Sequence, residues 1–468
     1  MNLEDCVNKK MERFQYFIKN ADLKSKTYQE EGVEWCIRKE LVGNGLSKIR
    51  GGFLSDEMGL GKTMTMIGTI FANYQKGRST LIVLPVMLLK QWYHEILRTT
   101  GNKCLIFHGR KIPDGLEKAP IVLTTYGNIC SKRSHLLEIN WFRVIFDEAH
   151  HLRNPNTNVH RTAKLIKTKI FWFVTGTPIQ NKVGDFKSLC TILGVKTFNM
   201  EEIIQSCVLK RTKKTAGIVI PDAICESISV EWKDTSEKMI SDGFHESLSF
   251  RSEVIDPIDP IPLYSAFIKA LPSEHQALIN TIKSRQMCVL PSLVASFMKK
   301  LTSKVPASNL NEWLKMIQCL PRYQSKLNAV VEKLVERKEG GKLIFCHFRE
   351  EMNKIKKMLE DRGITDVAIV DGRVSLKQRN EIMQKHPRYL LLQIQTACEG
   401  LNLQEHYSEV YFVSPHWNPA VEQQAIARCH RMGQQNQVYV FRFHMTEKET
   451  TIEEWINIKQ KKKLEYYL

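Results

Sequence analysis

The apolar residues of this chain fall into short unbroken runs separated by amphipathic stretches. In the first half the runs are "GGFL" (51–54), "STLIVLP" (79–85), "CLIFHG" (104–109), "APIVLTTY" (119–126), "RVIFDEAH" (143–150) and "KIFWFVTGTP" (169–178). The segment "VMLLKQWYHEILRTT" (86–100) is typical of what lies between them. Wholly apolar strands alternating with amphipathic helices predict a parallel sheet covered on both faces. The theme returns in "KLIFCHF" (342–348), "DVAIVDG" (366–372), "YLLLQIQT" (389–396), "EVYFVSP" (409–415) and "QVYVFRF" (437–443). The fold class expected is therefore α/β, with two similar lobes.

Residues 216–320 interrupt the pattern. "RSEVIDPIDPIPLYSAF" (251–267) is proline-rich and loop-like, and "PSEHQALINTIKSRQM" (272–287) reads as a helix opened by a Ser/Glu capping pattern. The expected organisation is an N-terminal extension (1–22), lobe 1 (23–215), a helical insertion or connector (216–320), lobe 2 (321–445) and a C-terminal helix bracing the lobes (446–468).

Composition narrows the class. No apolar run reaches the roughly 18 residues that span a bilayer, and "MNLEDCVNKKMERF" lacks a signal-peptide core. A soluble, intracellular protein with no membrane partner is expected. The 12 cysteines include no C-x-x-C pair, so a structural zinc site is not expected. The net charge of +18 points to a polyanionic partner. The runs "KRTKK" (210–214) and "KQKKK" (459–463) are short enough to be solvated faces.

Two motifs carry chemistry. "DEMGLGKT" (56–63) follows an apolar run and precedes a helical pattern, although Asp56 stands where the common phosphate loop G-x-x-x-x-G-K-[ST] has its first glycine. Gly59 and Gly61 permit a tight turn that aims N–H groups inward, and the helix start adds its positive end. Lys62 then offers a cation to phosphates and Thr63 a hydroxyl to Mg²⁺. Asp147 and Glu148 follow an apolar run, so one could hold Mg²⁺ and the other polarise the attacking water. "QQAIARCHRMGQ" (423–434) places Arg428 and Arg431 three apart and so on one helix face; arginine suits the developing phosphate charge.

With "TYQEEGVEW" (27–35), "LTTY" (123–126), "DEAHHLRNPNT" (147–157), "TGTPIQN" (175–181), "VLKRTKK" (208–214), "EGLNLQ" (399–404), "HWNPAVEQQAIARCHRMGQ" (416–434) and "TTIEEWI" (450–456), the chain resembles the Snf2 family of superfamily 2 DNA-dependent ATPases. The resemblance runs from about residue 23 to the C-terminus, excluding most of 222–320. It looks most like the Rad5/Rad16 branch and the compact Snf2-like proteins of large DNA viruses and bacteria. In this family Asp56 and Glu57 belong to the phosphate-loop signature. Ala397 and Cys398 depart from it, standing where two glycines are usual.

The resemblance implies two RecA-like lobes with ATP and Mg²⁺ between them. Gln29 matches the adenine-reading glutamine. Asp56, Glu57, Met58, Gly59, Leu60, Gly61, Lys62 and Thr63 form the nucleotide loop, joined by Gly400 and Gln424. Asp147 and Thr63 would hold Mg²⁺, and Glu148 would activate water. His150, Thr175, Gly176, Thr177 and Pro178 would couple hydrolysis to lobe movement, and Arg428 and Arg431 would act from lobe 2. Thr124, Thr125 and Trp417 are DNA-contact candidates, Trp417 being equally a packing residue. The function implied is a DNA-stimulated motor, expected as a monomer, that translocates on double-stranded DNA and displaces or remodels DNA-bound protein. It would work in the nucleus, or in the cytoplasm if bacterial. The competing readings are a DNA-binding regulator with a vestigial ATPase and a strand-separating helicase.

Overall fold

The computed structural model describes residues 2–109, 111–131, 135–176, 183–196, 198–245, 248, 273–305, 307–397, 403–447 and 450–465. The chain divides into two compact units, Met1–Ile220 and Pro221–Leu468.

The first unit is built on β1 (Arg50–Leu54), β2 (Thr80–Leu84), β3 (Leu105–Phe107), β4 (Ile121–Thr125), β5 (Arg143–Asp147), β6 (Ile170–Val174) and β7 (Val208–Leu209). They lie in the order β3-β4-β2-β5-β6-β1-β7, and the neighbouring pairs are parallel. Strands β2, β4, β5 and β6 are buried at every position, which is why their sequences are continuous apolar runs. The order sets β5, β6 and β1 side by side. Val174 is in register with both Asp147 and Leu54. The sequence motifs after three different strands therefore end on one edge.

Two helices tie the N-terminal segment to this sheet. Helix Leu3–Asn20 buries Phe14 and Phe17. A Cβ added at Gly68 would stand 2.6 Å from the Phe14 ring, so Gly68 lets this helix approach helix Lys62–Ala72. Helix Thr27–Leu41 is anchored by Glu40, which is 1% exposed. Its carboxylate accepts from Arg143 Nε and Nη2 (2.5 Å each), Trp172 Nε1 (2.8 Å) and Asn73 Nδ2 (2.6 Å). This buried pair joins the helix to β5 and β6.

The second unit holds β8 (Ile224–Val230), β9 (Gly341–Cys346), β10 (Val367–Val370), β11 (Tyr389–Gln393), β12 (Tyr407–Phe412) and β13 (Tyr439–Met445). The order is β10-β11-β9-β12-β13-β8, again parallel. Here the sequence expectation is corrected. Residues 224–230, read as connector, form an edge strand beside β13. Most of β8 is exposed, so it carries no apolar run to betray it.

Beyond β8 the insertion is helical as expected. Helices Thr235–His245, Ser273–Val289, Ala295–Leu301 and Leu310–Cys319 share a small core that includes Phe244, Met287, Met298 and Trp313. The proline-rich stretch 251–267 lies outside the described residues. Helix Ile452–Glu465 packs within the second unit, where Glu453 and Lys326 form a buried 2.5 Å ion pair. No helix among the described residues is long and apolar enough to cross a membrane.

Candidate nucleotide site

The site grows from the end of β1. The chain turns through Gly59 (φ +91°) and Gly61 (φ +77°), both in the left-handed region, which glycine enters at least cost. Gly61 is also tight: a Cβ there would lie 2.5 Å from Gln29 Nε2. The adenine-reading candidate thus rests on the last turn of the loop. Helix Lys62–Ala72 starts with no side-chain cap and no acid in its first turn. The positive end of its dipole therefore meets no acid of its own first turn.

Lys62 Nζ donates to the Asp56 carbonyl at 2.8 Å. Gly176 brings the end of β6 to the same place, since a Cβ there would be 3.6 Å from Lys62 Nζ. Thr175 is buried and its N–H donates to Leu54 O. Thr177 and Pro178 lie outside the described residues.

Asp147 ends β5. Its Oδ2 accepts from Trp92 Nε1 at 2.7 Å and its Oδ1 from the Glu148 N–H at 3.0 Å. Its carbonyl accepts from Tyr126 Oη at 2.6 Å. Burial, then the adjacent Glu148 charge, pushes the Asp147 carboxyl up to about 7, while Trp92, the Glu148 N–H and the Lys62 ammonium oppose the rise. Glu148 has φ +51°, a strained conformation for a residue with a side chain, costing on the order of 1–3 kcal/mol. The bend turns its carboxylate away from the strand, to 3.3 Å from His150 Nδ1. The His150 and His151 rings stack at 4.7 Å, and His151 stacks on Tyr126 at 4.9 Å.

Several candidates take different roles from those the sequence suggested. Asp56 is fully buried and turned to Arg211, and Glu57 bonds Lys213, so both side chains tie the loop to the segment after β7. Thr124 is fully buried with its hydroxyl on Phe107 O, and Thr125 caps the turn at Asn128. Their side chains are engaged inside the first unit, and the "LTTY" segment braces Asp147 through Tyr126. Trp92, Tyr126, Arg211 and Glu40 escaped the sequence reading because their partners are distant along the chain.

In the second unit, helix Pro419–Ile426 is capped by Asn418. It ends before the arginines, so Arg428 and Arg431 sit in consecutive turns and not on one helix face. Glu422 holds this segment by accepting from His416 N, Gln460 and Arg442. Burial, then the Arg428 charge, pulls the Arg431 guanidinium down from its ordinary value. Gln424 is buried, and its Nε2 has no hydrogen-bond partner among the described residues. The Trp417 ring meets Trp455 edge-on at 5.5 Å and lies under Arg285 at 5.6 Å. That is the packing role. Gly400 and Cys398 lie outside the described residues.

Residues 28–211 match the SNF2-related domain, and residues 325–433 match the helicase conserved C-terminal domain. The chain belongs to the Snf2 family of helicase-like ATP hydrolases. It is 25% identical over 94% of its length to a probable global transactivator of Orgyia pseudotsugata multicapsid polyhedrosis virus, of which it covers 90%. It is 27% identical, again over 94% of its length, to an uncharacterized ATP-dependent helicase of Mycoplasma genitalium, but covers only 41% of that protein. Among solved structures, the helicase domain of Pyrococcus furiosus Hef shares the fold. Its TM-score is 0.58 at 16% identity, covering 93% of this chain and 98% of that one.

Proposed function

We propose that this Snf2-family chain is a DNA-stimulated ATPase that translocates on double-stranded DNA and displaces or remodels protein bound there. The observation that carries the reading is the convergence of three strand ends, from β1, β6 and β5. They bring an uncapped helix N-terminus, Lys62, the buried Asp147 and the half-buried Glu148 together.

The donors fit ATP with Mg²⁺. Lys62 and the first N–H groups of its helix would hold the phosphates, and Gln29 would read the base. Thr63 and Asp147 are hard oxygen donors suited to Mg²⁺, which takes few protein ligands and shares phosphate oxygens. No group of three His, Cys, Asp or Glu placed to hold a metal ion by themselves is found among the described residues. Bound there, the metal would neutralise charge between the phosphates. Burial makes the Asp147 charge costly on its own, so a nearby cation favours its ionised form. Glu148, bent out of the strand, would orient water and accept its proton. Arg428 and Arg431, a like-charge pair, would steady the departing phosphate. Grip on a phosphodiester backbone is electrostatic and blind to sequence, in keeping with the +18 net charge.

The test is phosphate release with and without duplex DNA, alongside Glu148→Gln. Stimulation in the native protein and a fall of at least about a thousandfold in the variant are expected. Equal rates in the two proteins would end the motor reading. Displacement of a triplex strand without unwinding of a forked duplex would separate translocation from helicase action.

A further inference from the structure

Asp56 connects two things that are remote in sequence. Its carbonyl accepts from Lys62 Nζ at 2.8 Å. Its carboxylate accepts from Arg211 Nε at 3.1 Å, Arg211 Nη2 at 2.5 Å and the Arg211 N–H at 3.1 Å. Arg211 Nη1 donates to the Tyr28 carbonyl, one residue before Gln29. The same guanidinium sits over Gly32, where a Cβ would approach Nη2 to 2.7 Å. Next door, Glu57 N–H donates to Arg211 O at 2.8 Å, Glu57 Oε2 accepts from Lys213 N at 2.7 Å, and Glu57 Oε1 pairs with Lys213 Nζ at 3.1 Å. Asp56 is buried and the Arg211 side chain is 12% exposed, so the pair is only weakly screened by solvent.

The position gives this contact its meaning. Arg211 follows β7, the strand at one edge of the first sheet. The chain then runs through 212–220 to the start of the second unit at Pro221. We propose that Arg211 is a positioning residue. It fixes the phosphate loop, the helix that carries Gln29 and the chain leaving the first unit as one rigid piece. The structural logic is that Lys62, Gln29 and residues 211–213 cannot shift independently while Asp56 and Arg211 stay paired. This inference rests on the ATP reading given above and adds to it the part that holds the site in shape.

The test uses the full chain. ATP turnover, binding of a fluorescent ATP analogue, melting temperature and backbone hydrogen exchange are measured for Arg211→Lys, Asp56→Asn and the double variant. Arg211→Lys keeps the charge and loses the fork geometry. Each single variant should raise KM for ATP at least tenfold, more than it lowers kcat. Exchange at 209–216 should quicken in each, and the double variant should be no worse than the worse single one, as for a coupled pair. Unchanged KM in both singles, or additive losses in the double, would overturn the proposal. Should those proteins fail to fold, Glu57→Gln decides, because its side chain is 41% exposed. Faster exchange at 211–216 and a higher KM support the inference, and native values of both refute it. A native chain that binds no nucleotide would defeat the ATP reading instead; the exchange data alone would then decide whether residues 209–216 are pinned.

Discussion

The two units place the same device in the same setting and use it oppositely. In each, a buried parallel strand runs into a helix whose N-terminus lies at the carboxyl edge of the sheet. After β1, the loop turns through left-handed glycines and helix Lys62–Ala72 begins uncapped, with no acid in its first turn. After β9, helix Arg349–Glu360 begins with Glu350 and Glu351, and Glu351 is fully buried. Its Oε2 accepts from the His347 and Phe348 N–H groups at 3.0 and 2.9 Å. On the proposed reading the first unit leaves this end to a phosphate, whereas in the second the chain's own Glu351 side chain ties the residues just before the helix.

The rest of the second edge follows suit. Arg285 donates to Pro415 O at 2.9 Å and lies 3.2 Å from His347 Nε2, whose ring stacks on His416. Lys326 pairs with Glu453, and Gln460 bonds Glu422. These contacts lock the inserted and C-terminal helices onto the "HWNP" turn. The left-handed backbone at Glu148 stands instead just after β5. It belongs to the unit where chemistry is proposed.

The comparison can be broken in graded ways. Arg143→Met should have the largest effect, because Glu40 stays buried with its charge partner removed. A loss of about 3–5 kcal/mol is expected, read as a lower urea midpoint for the first unit with the second nearly unchanged. Met64→Glu places a carboxylate third in helix Lys62–Ala72, as Glu351 is third in its own helix. Nucleotide affinity should fall about a hundredfold, or about 3 kcal/mol, in a binding titration, with the melting temperature held within a few degrees.

Glu351→Gln sharpens the same point through pH. Burial pushes the Glu351 carboxyl up from 4.5 to about 7, against its two N–H bonds and the Lys326 and Arg285 charges. The folded state therefore holds this proton more tightly than the unfolded chain. Its stabilising contribution is complete below about pH 4.5 and is lost as pH rises through about 7. Urea midpoints at pH 5 and pH 7.5 should show a native decline that Glu351→Gln flattens, by up to about 3 kcal/mol; parallel declines would refute this. The smallest effect is expected for Trp417→Ala, about 1–2 kcal/mol of packing loss with duplex affinity unchanged in a gel-shift titration. A selective loss of DNA binding would instead restore Trp417 as a contact.

Much of this was legible in the chain itself, for local reasons. Strands β2, β4, β5 and β6 are buried throughout, so their apolar runs could mean little else. The phosphate loop showed itself by glycine spacing and a following helix. What stayed hidden depends on partners far along the sequence or on edges. β8 is an exposed edge strand whose polar residues resemble a linker. Arg428 and Arg431 read as helical because nothing local in "AIARCHRM" marks a stop, whereas in the fold Arg428 O accepts from the distant Leu403 N–H. The odd Asp56 of "DEMGLGKT" finds its reason 155 residues away in Arg211, a distance no local pattern can span.

The central claim is that one unit carries an open phosphate site and the other does not. The most direct measurement is equilibrium titration of the full chain with a fluorescent ATP analogue, counting sites in the native protein, Lys62→Ala and Glu351→Ala. We expect one site per chain, lost in Lys62→Ala and retained in Glu351→Ala. Two sites in the native protein, or full binding in Lys62→Ala, would contradict it.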